Sequence, residues 1–391
     1  MVLSNIEFKS ATKPNIVQAL ESMEIRNSAI LVDERLIVTN DTQKMHCVIL
    51  KDGNTVKNIF YPLKVEKEKF DSYVSEAIKE KAKFIIKNIR EFDSEIGITD
   101  FQLTRILTKT SINLPGDVAK NRLSEEYLFE VEIQKKINGN AILGSSYIYK
   151  SKLENIKIED IMKTLTFPYN NTEYQEANLD EKYDLIVWGK PIFSSIMENL
   201  VYYTFMDYQG IEKKSNITIY DDPTHDKNFN YISFDDKGND TTVNHLYGYD
   251  NGYKNSSIHS EFLIPNKKCY RDMRSCFAIH PTNIILESKN KIDTLNKFKE
   301  IKRGLYCHLM VGNHFCSGDF IEGTVFNAFT IKDGKLDISL APFKIKINKK
   351  ELLKNIAFIG NDYEFVRPFP WWTPIVTKIP TVFTKSISLR G

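Results

Sequence analysis

Four consecutive apolar residues, Leu185, Ile186, Val187 and Trp188, lead into residues 191–205, PIFSSIMENLVYYTF. A short apolar run without alternation is the mark of a strand buried on both faces, and the segment after it reads as a helix. A buried strand feeding a helix belongs in the interior, so the second half of the chain has to be built around this pair. The helix contains no histidine.

The chain has 391 residues, 42% of them hydrophobic, enough for two domains with a core each. Lys and Arg number 53 against 51 Asp and Glu, a net charge of +2 with no basic stripe, so nucleic acid is not an expected partner. The first residues, MVLSNIEFKS, have neither a basic start nor an apolar run, and no stretch approaches eighteen apolar residues. A cytoplasmic protein without membrane contact is expected. Five cysteines, odd in number and sparse, suit a reducing compartment.

Residues 27–39 and 44–51 alternate apolar and polar around a polar connection, and Asp52-Gly53 marks a turn, so the chain opens with antiparallel strands. Over 66–92 the apolar positions Phe70, Tyr73, Val74, Ala77, Ile78, Phe84, Ile85 and Ile89 recur mostly at steps of three and four, which predicts a long amphipathic helix packed on those strands. A hairpin is expected over 126–150 about Asn138-Gly139-Asn140, then a short helix over 159–165. The polar, acidic stretch 168–182 sets the expected boundary between an amino-terminal domain, 1–175, and a carboxy-terminal domain, 183–391.

Beyond the boundary lie Ile217-Thr-Ile-Tyr-Asp-Asp-Pro-Thr224, Phe234-Asp-Asp-Lys-Gly238, Tyr247-Gly-Tyr-Asp-Asn-Gly252 and Pro281-Thr-Asn283. Arg303-Gly-Leu-Tyr306, Ser317-Gly-Asp-Phe320, Lys332-Asp-Gly-Lys335 and Ile359-Gly-Asn-Asp362 follow. In order and spacing over roughly 183–391 these resemble the motifs of the TldD/PmbA peptidase family. The resemblance implies an α+β chain, with a mixed α/β amino-terminal domain and a mainly β carboxy-terminal one. It also implies a partnership, since the family pairs a zinc-bearing TldD-type subunit with a metal-free TldE/PmbA-type subunit around a closed chamber. The zinc subunit carries His-Glu-x-x-x-His on the helix after the buried strand. Counted from Leu185 without a gap, those positions are Met197, Glu198 and Tyr202 here. A cysteine soon after Gly-Asn-Asp supplies that subunit's third ligand, and residues 361–372 contain none.

A zinc hydrolase needs three imidazole, carboxylate or thiolate donors and an open fourth position. Met197 and Tyr202 are poor donors, and positions five apart on a regular helix diverge by roughly 140°. Glu198 without a metal-activated water has little hold on bulk water. Three other groupings have suitable side chains. Cys307, His308, His314 and Cys316 carry zinc-binding chemistry, although Cys307 and His308 as strand neighbours face opposite ways. Asp221, Asp222, His225, Asp235 and Asp236 suggest a carboxylate centre but match strand ends and turns in the family. Trp371 and Trp372 sit among prolines and suit a core and an interface role.

The resulting expectation is a metal-free TldE/PmbA-like subunit, with no cofactor of its own, that binds peptide and completes the chamber of a zinc-dependent TldD-like partner. His314, Cys316, Ser317 and Asp319 are the expected peptide-binding residues, and the strand over 304–316 is expected to offer its edge to an extended peptide. A self-sufficient hydrolase with a relocated metal site and a stand-alone peptide-binding homodimer are the alternatives.

Overall fold

The computed structural model describes residues 15–52, 55–62, 72–114, 118–137, 140–166, 174–178, 181–201, 217–226, 230–235, 239–247, 261–265, 275–279, 281–311, 316–317, 319–367 and 375–390. Strands dominate. β1 (Asn15–Val32), β2 (Arg35–Asp52) and β3 (Thr55–Pro62) are followed by helix α1 (Ser72–Phe92), then β4 (Gly97–Leu114), β5 (Val118–Ile137) and β6 (Asn140–Lys150). All six strands form one antiparallel sheet in the order β3-β2-β1-β4-β5-β6.

The first turn lies elsewhere than alternation suggests. β1 and β2 meet at Asp33-Glu34, both in the left-handed region (φ 46° and 62°), and β2 runs unbroken through the polar residues 40–43. Two successive left-handed residues give a two-residue turn whose twist matches the strands. Asp52 pairs with Thr55, as the Asp52-Gly53 signal implies, and Ile137 pairs with Asn140 at the expected second hairpin.

Helix α1 buries Ile78, Ala82, Ile85, Ile86 and Ile89 against Ala29, Phe101, Leu103, Phe129, Val131 and Ile133. The spacing 78, 82, 85, 89 is one face of a 3.6-residue helix. Tyr73 and Phe84, expected inside, are 81% and 49% exposed, because they fall on the outer face while Ala82 and Ile86 complete the inner one. Helix α2 (Ile158–Thr166) adds Ile161 and Leu165 to the same core, as expected for 159–165. The expected stretch 66–71 lies outside the described residues.

The remaining chain forms the second assembly. Its strands are β7 (Tyr174–Gln175), β8 (Leu185–Trp188), β9 (Ile217–Asp221), β10 (Asn244–Tyr247), β11 (Glu261–Pro265), β12 (Ser275–Ile279), β13 (Asn283–Ser288) and β14 (Lys291–Ile292). Then come β15 (Arg303–Val311), β16 (Cys316–Ser317), β17 (Phe320–Lys332), β18 (Lys335–Leu340), β19 (Phe343–Asn348), β20 (Ile356–Gly360), β21 (Glu364–Val366), β22 (Val376–Ile379) and β23 (Val382–Lys385). Helices α3 (Lys190–Leu200), α4 (Thr294–Lys299) and α5 (Lys349–Lys354) interrupt them. One large sheet runs β14-β20-β23-β8-β15-β17-β18-β7, with β16 and β19 also on β17, and a five-stranded sheet runs β10-β9-β13-β22-β21. β11 and β12 pair with each other.

Helix α3 lies between these two sheets, against β15 and β17 on one side and β21 and β22 on the other. The six-stranded sheet covers the far face of the five-stranded one. There Ile106, Leu128 and Tyr149 meet Val376, Arg122 Nη1 donates to the Phe234 carbonyl at 2.7 Å, and Lys120 pairs with Asp240 at 2.6 Å. β7, at the end of the expected amino-terminal domain, pairs with β18 of the large sheet. No described helix is long and apolar enough to cross a membrane.

Candidate functional site

Local chemistry explains how a helix as polar as α3 can sit in a core. β8 ends at Gly189, whose N–H donates to the Cys307 carbonyl at 2.8 Å. A Cβ on Gly189 would lie 2.8 Å from Tyr306 Oη and 3.3 Å from His308 Nδ1, so only glycine allows this approach. Proline in the first turn suits a helix start, where an N–H has no intrahelical partner. Ser195 Oγ donates to the Pro191 carbonyl at 3.2 Å, Asn199 Nδ2 to the Ser195 carbonyl at 2.7 Å, and Ser194 Oγ meets Thr377 Oγ1 at 2.5 Å. Each buried polar side chain named here is therefore hydrogen-bonded, which removes most of the cost of its burial. Ile192, Phe193, Ile196, Met197 and Leu200 are fully buried, each worth about 1.5–3 kcal/mol of transfer free energy.

Met197, the residue that the count from Leu185 matches to the first histidine of a metal helix, is wholly enclosed by this core. Glu198 is half-buried beside it. The Val201 N–H bonds the carbonyls of Met197 and Glu198, with φ −69° and ψ −48°; the helix is α through Leu200 and passes into a π turn at Val201, the last described residue of this segment. Tyr202 lies outside the described residues. A thioether sealed in an apolar core beside one carboxylate does not fit zinc, which needs three convergent harder donors. Among the described residues, no three His, Cys, Asp or Glu side chains are grouped as metal ligands.

The cysteine and histidine segment divides as strand geometry predicts. Cys307 faces α3, fully buried, and burial pushes its thiol well above the usual range, so it is neutral. His308 is on the opposite face, its Nδ1 3.0 Å from Tyr306 Oη, and burial with the nearby Lys190 charge lowers its pKa to about 4. It is a neutral imidazole at physiological pH. His314 lies outside the described residues, as do the side chains of Cys316 and Ser317. The backbones of Cys316 and Ser317 pair with Ile321 and Phe320, which places exposed Asp319 at a hairpin tip, where its carbonyl accepts from Lys349 N at 2.9 Å.

Strand β15 does not offer an edge over the first part of the expected stretch 304–316. β8 pairs with Gly304 to Cys307 on one side and β17 covers Arg303 to Val311 on the other, so both edges are taken over 304–307, while 308–311 are paired with a strand only on the β17 side among the described residues and 312–315 lie outside them. β17 is bent opposite His308. Asn327 there is left-handed (φ 53°), and the residues facing the α3 core change from Ile321 and Val325 to Ala328, an interval of three instead of two. Asn327 Nδ2 also donates to Ser145 Oγ on β6 at 3.2 Å.

The described members of the acidic set bond to nearby backbone and side chains. Asp221 is fully buried, its Oδ1 accepting from the Thr282 and Asn283 N–H groups at 2.9 and 2.8 Å, and it joins β9 to the entry of β13. Burial raises its pKa to about 6 against the opposing effect of these bonds. Asp222 Oδ1 accepts from Thr224 N at 3.0 Å, and Asp235 Oδ1 from Asn239 N at 2.8 Å, both turn contacts. His225 Nε2 lies 2.8 Å from Lys378 Nζ. Asp236, Trp371 and Trp372 are outside the described residues.

Sequence reasoning missed the charged residues at the start of α3. Lys190 Nζ is 3.0 Å from Glu364 Oε2 and 3.6 Å from Asp362 Oδ2. Asp362 in turn accepts from Thr294 Oγ1 at 2.7 Å and Thr381 Oγ1 at 2.8 Å. Burial opposes its ionisation, but these bonds and the Lys190 charge outweigh it and hold its pKa below the usual carboxylate range. Asp362 belongs to the Gly-Asn-Asp motif, a usable signal; Glu364 and Lys190 lie in no recognisable pattern.

Residues 213–391 match the family model described as PmbA/TldA metallopeptidase C-terminal domain. No curated protein sequence matches the chain. The fold is similar to that of TldE from Thermococcus kodakarensis, with a TM-score of 0.76 at 14% identity, covering 96% of each chain. It is also similar to a Thermotoga maritima MSB8 protein named for a proposed role as modulator of a DNA gyrase (TM-score 0.74, 16% identity, 94% of each chain). A similarly named Bacteroides thetaiotaomicron VPI-5482 protein gives a TM-score of 0.67 at 13% identity, covering 94% of this chain and 93% of that one.

Proposed function

This chain is a member of the PmbA/TldD family, and from that premise we propose that it is a metal-free TldE/PmbA-like subunit. In this reading it binds peptide and completes the chamber of a zinc-bearing TldD-like peptidase in the cytoplasm, with a role in processing a modified peptide. The observation that carries the reading is Met197, a core side chain at the position where the zinc subunit needs a ligand. The fold is retained and the donor set is not. Activated hydroxide would then come from the partner, since no side chain of α3 described here can generate it.

We place the peptide near His314, Cys316, Ser317 and Asp319, and we keep the division of the chain into 1–175 and 183–391. Pairing on both sides closes the edge of β15 over 304–307, so contact through the β16–β17 hairpin is the form proposed.

Co-expression with a candidate zinc subunit tests this. The expected result is a stable heteromeric complex that cleaves peptide, is silenced by a chelator and is inactive when either subunit is omitted. Peptide cleavage by the isolated chain, lost on chelation and restored by zinc, would sink the proposal in favour of a relocated metal site. Peptide binding by a homodimer that ignores every TldD-like protein would favour the stand-alone reading.

A further inference from the structure

Strand β21 has three residues, yet it touches every layer around it. Val366 enters the core that encloses α3, while Phe365 packs on the other side against Ile106, Leu128, Tyr149 and Val376. Glu364 holds two lysines from different parts of the fold. Its Oε2 is 3.0 Å from Lys190 Nζ in the first turn of α3, and its Oε1 is 3.4 Å from Lys150 Nζ at the end of β6. Burial disfavours the charged carboxylate, but the two lysine charges and their hydrogen bonds prevail and keep its pKa below normal. Directly after the strand, Arg367 pairs with Glu126 on β5, their side chains 9% and 15% exposed.

We infer that β21 is a strap that couples the position of the six-stranded sheet to the first turn of α3, with Glu364 as a positioning residue that acts through Lys190. Among the described residues β21 is the edge of its sheet and forms its ladder with β22, so it can shift without breaking a second described ladder. The carboxylate spans its two lysines and cannot follow one without releasing the other. A displacement of β6 therefore pulls Glu364 from Lys190, which has Asp362 as its next partner 3.6 Å away. Lys190 thus keeps a carboxylate beside it when Glu364 withdraws, so the first turn of α3 can shift from one partner toward the other. The inference concerns this chain alone and holds whether or not a partner subunit exists.

Amide hydrogen exchange on the full chain tests it, comparing Lys150→Met, Glu364→Gln and Lys190→Met with a distant charge removal, Lys79→Met. Lys150 is not paired with α3, so the informative readout is the exchange of residues 190–196 in Lys150→Met. Severing the pull leaves Glu364 to Lys190 alone, so the strap predicts exchange there slower by at least about fivefold, the lower end of ordinary coupling between sites. It predicts no change when Lys150→Met is added to Glu364→Gln. If Lys150→Met alters β6 alone, or if Lys79→Met changes exchange at α3 equally, the inference is overturned. Should Glu364→Gln fail to fold, Glu364→Asp, too short to reach both lysines, is read the same way.

Discussion

His308 and Asp221 respond to the same pH range with opposite sign. The fold favours neutral His308, whose pKa is about 4 against an ordinary 6.5, so its contribution is present above 6.5 and is lost as pH falls toward 4. The fold also favours protonated Asp221, whose pKa is about 6 against 3.8, so its contribution is greatest below 3.8 and is lost as pH rises to 6. Each slope is worth about 2–4 kcal/mol across the window, at about 1.4 kcal/mol per pKa unit. In the wild-type chain they largely offset each other between pH 4 and 6. Relative to wild type, His308→Gln should gain stability as pH falls from 6 to 4, and Asp221→Asn should lose it. Urea melts at several pH values measure both trends, and parallel curves for the two variants would show that neither group titrates as described.

Helix α3 shows why restoring a metal motif would not restore a metal site. Met197→His returns the first ligand type to a position closed between two sheets, where an imidazole finds apolar neighbours such as Ile196 and Leu200. The expected outcome is a loss of about 2–4 kcal/mol in chemical denaturation, from burying a polar ring without a partner, and no zinc on metal analysis. Unchanged stability with stoichiometric zinc would contradict the enclosed position of this residue. The strand and helix themselves were legible, because four apolar residues and a proline-led segment carry strong local signals. The β5–β6 hairpin was legible for the same reason, through Asn138-Gly139-Asn140. The β1–β2 turn was not, since Asp33 and Glu34 are unusual left-handed residues and nothing local distinguishes them from the polar residues 40–43. The bend at Asn327 and the central place of β15 depend on which strands become neighbours, and the alternation within one strand does not encode that. Gly189 and Lys190 read as an ordinary turn until Tyr306, Asp362 and Glu364 are brought to them from more than a hundred residues away.

At the scale of the molecule, the described residues attach the six-stranded sheet to the rest by contacts of unequal strength. Exposed pairs such as Lys120–Asp240 contribute at most about 1 kcal/mol. The Glu126–Arg367 pair is different, because both side chains are largely removed from water and Tyr149 packs beside them. Burial disfavours the Arg367 charge, and the Glu126 carboxylate more than compensates, so the guanidinium stays firmly protonated. Removing one partner strands the other charge in a dry interface. Arg367→Met should therefore cost about 3–5 kcal/mol, whereas Glu126→Gln combined with Arg367→Met should cost much less than the two single changes added together. The same cycle applied to Lys120 and Asp240 should give a coupling near zero. Denaturant melts of the two cycles, run side by side, decide whether the sheet is fastened at Arg367 or along its whole length: equal coupling energies would mean that the attachment is spread evenly and that no single buried pair dominates it.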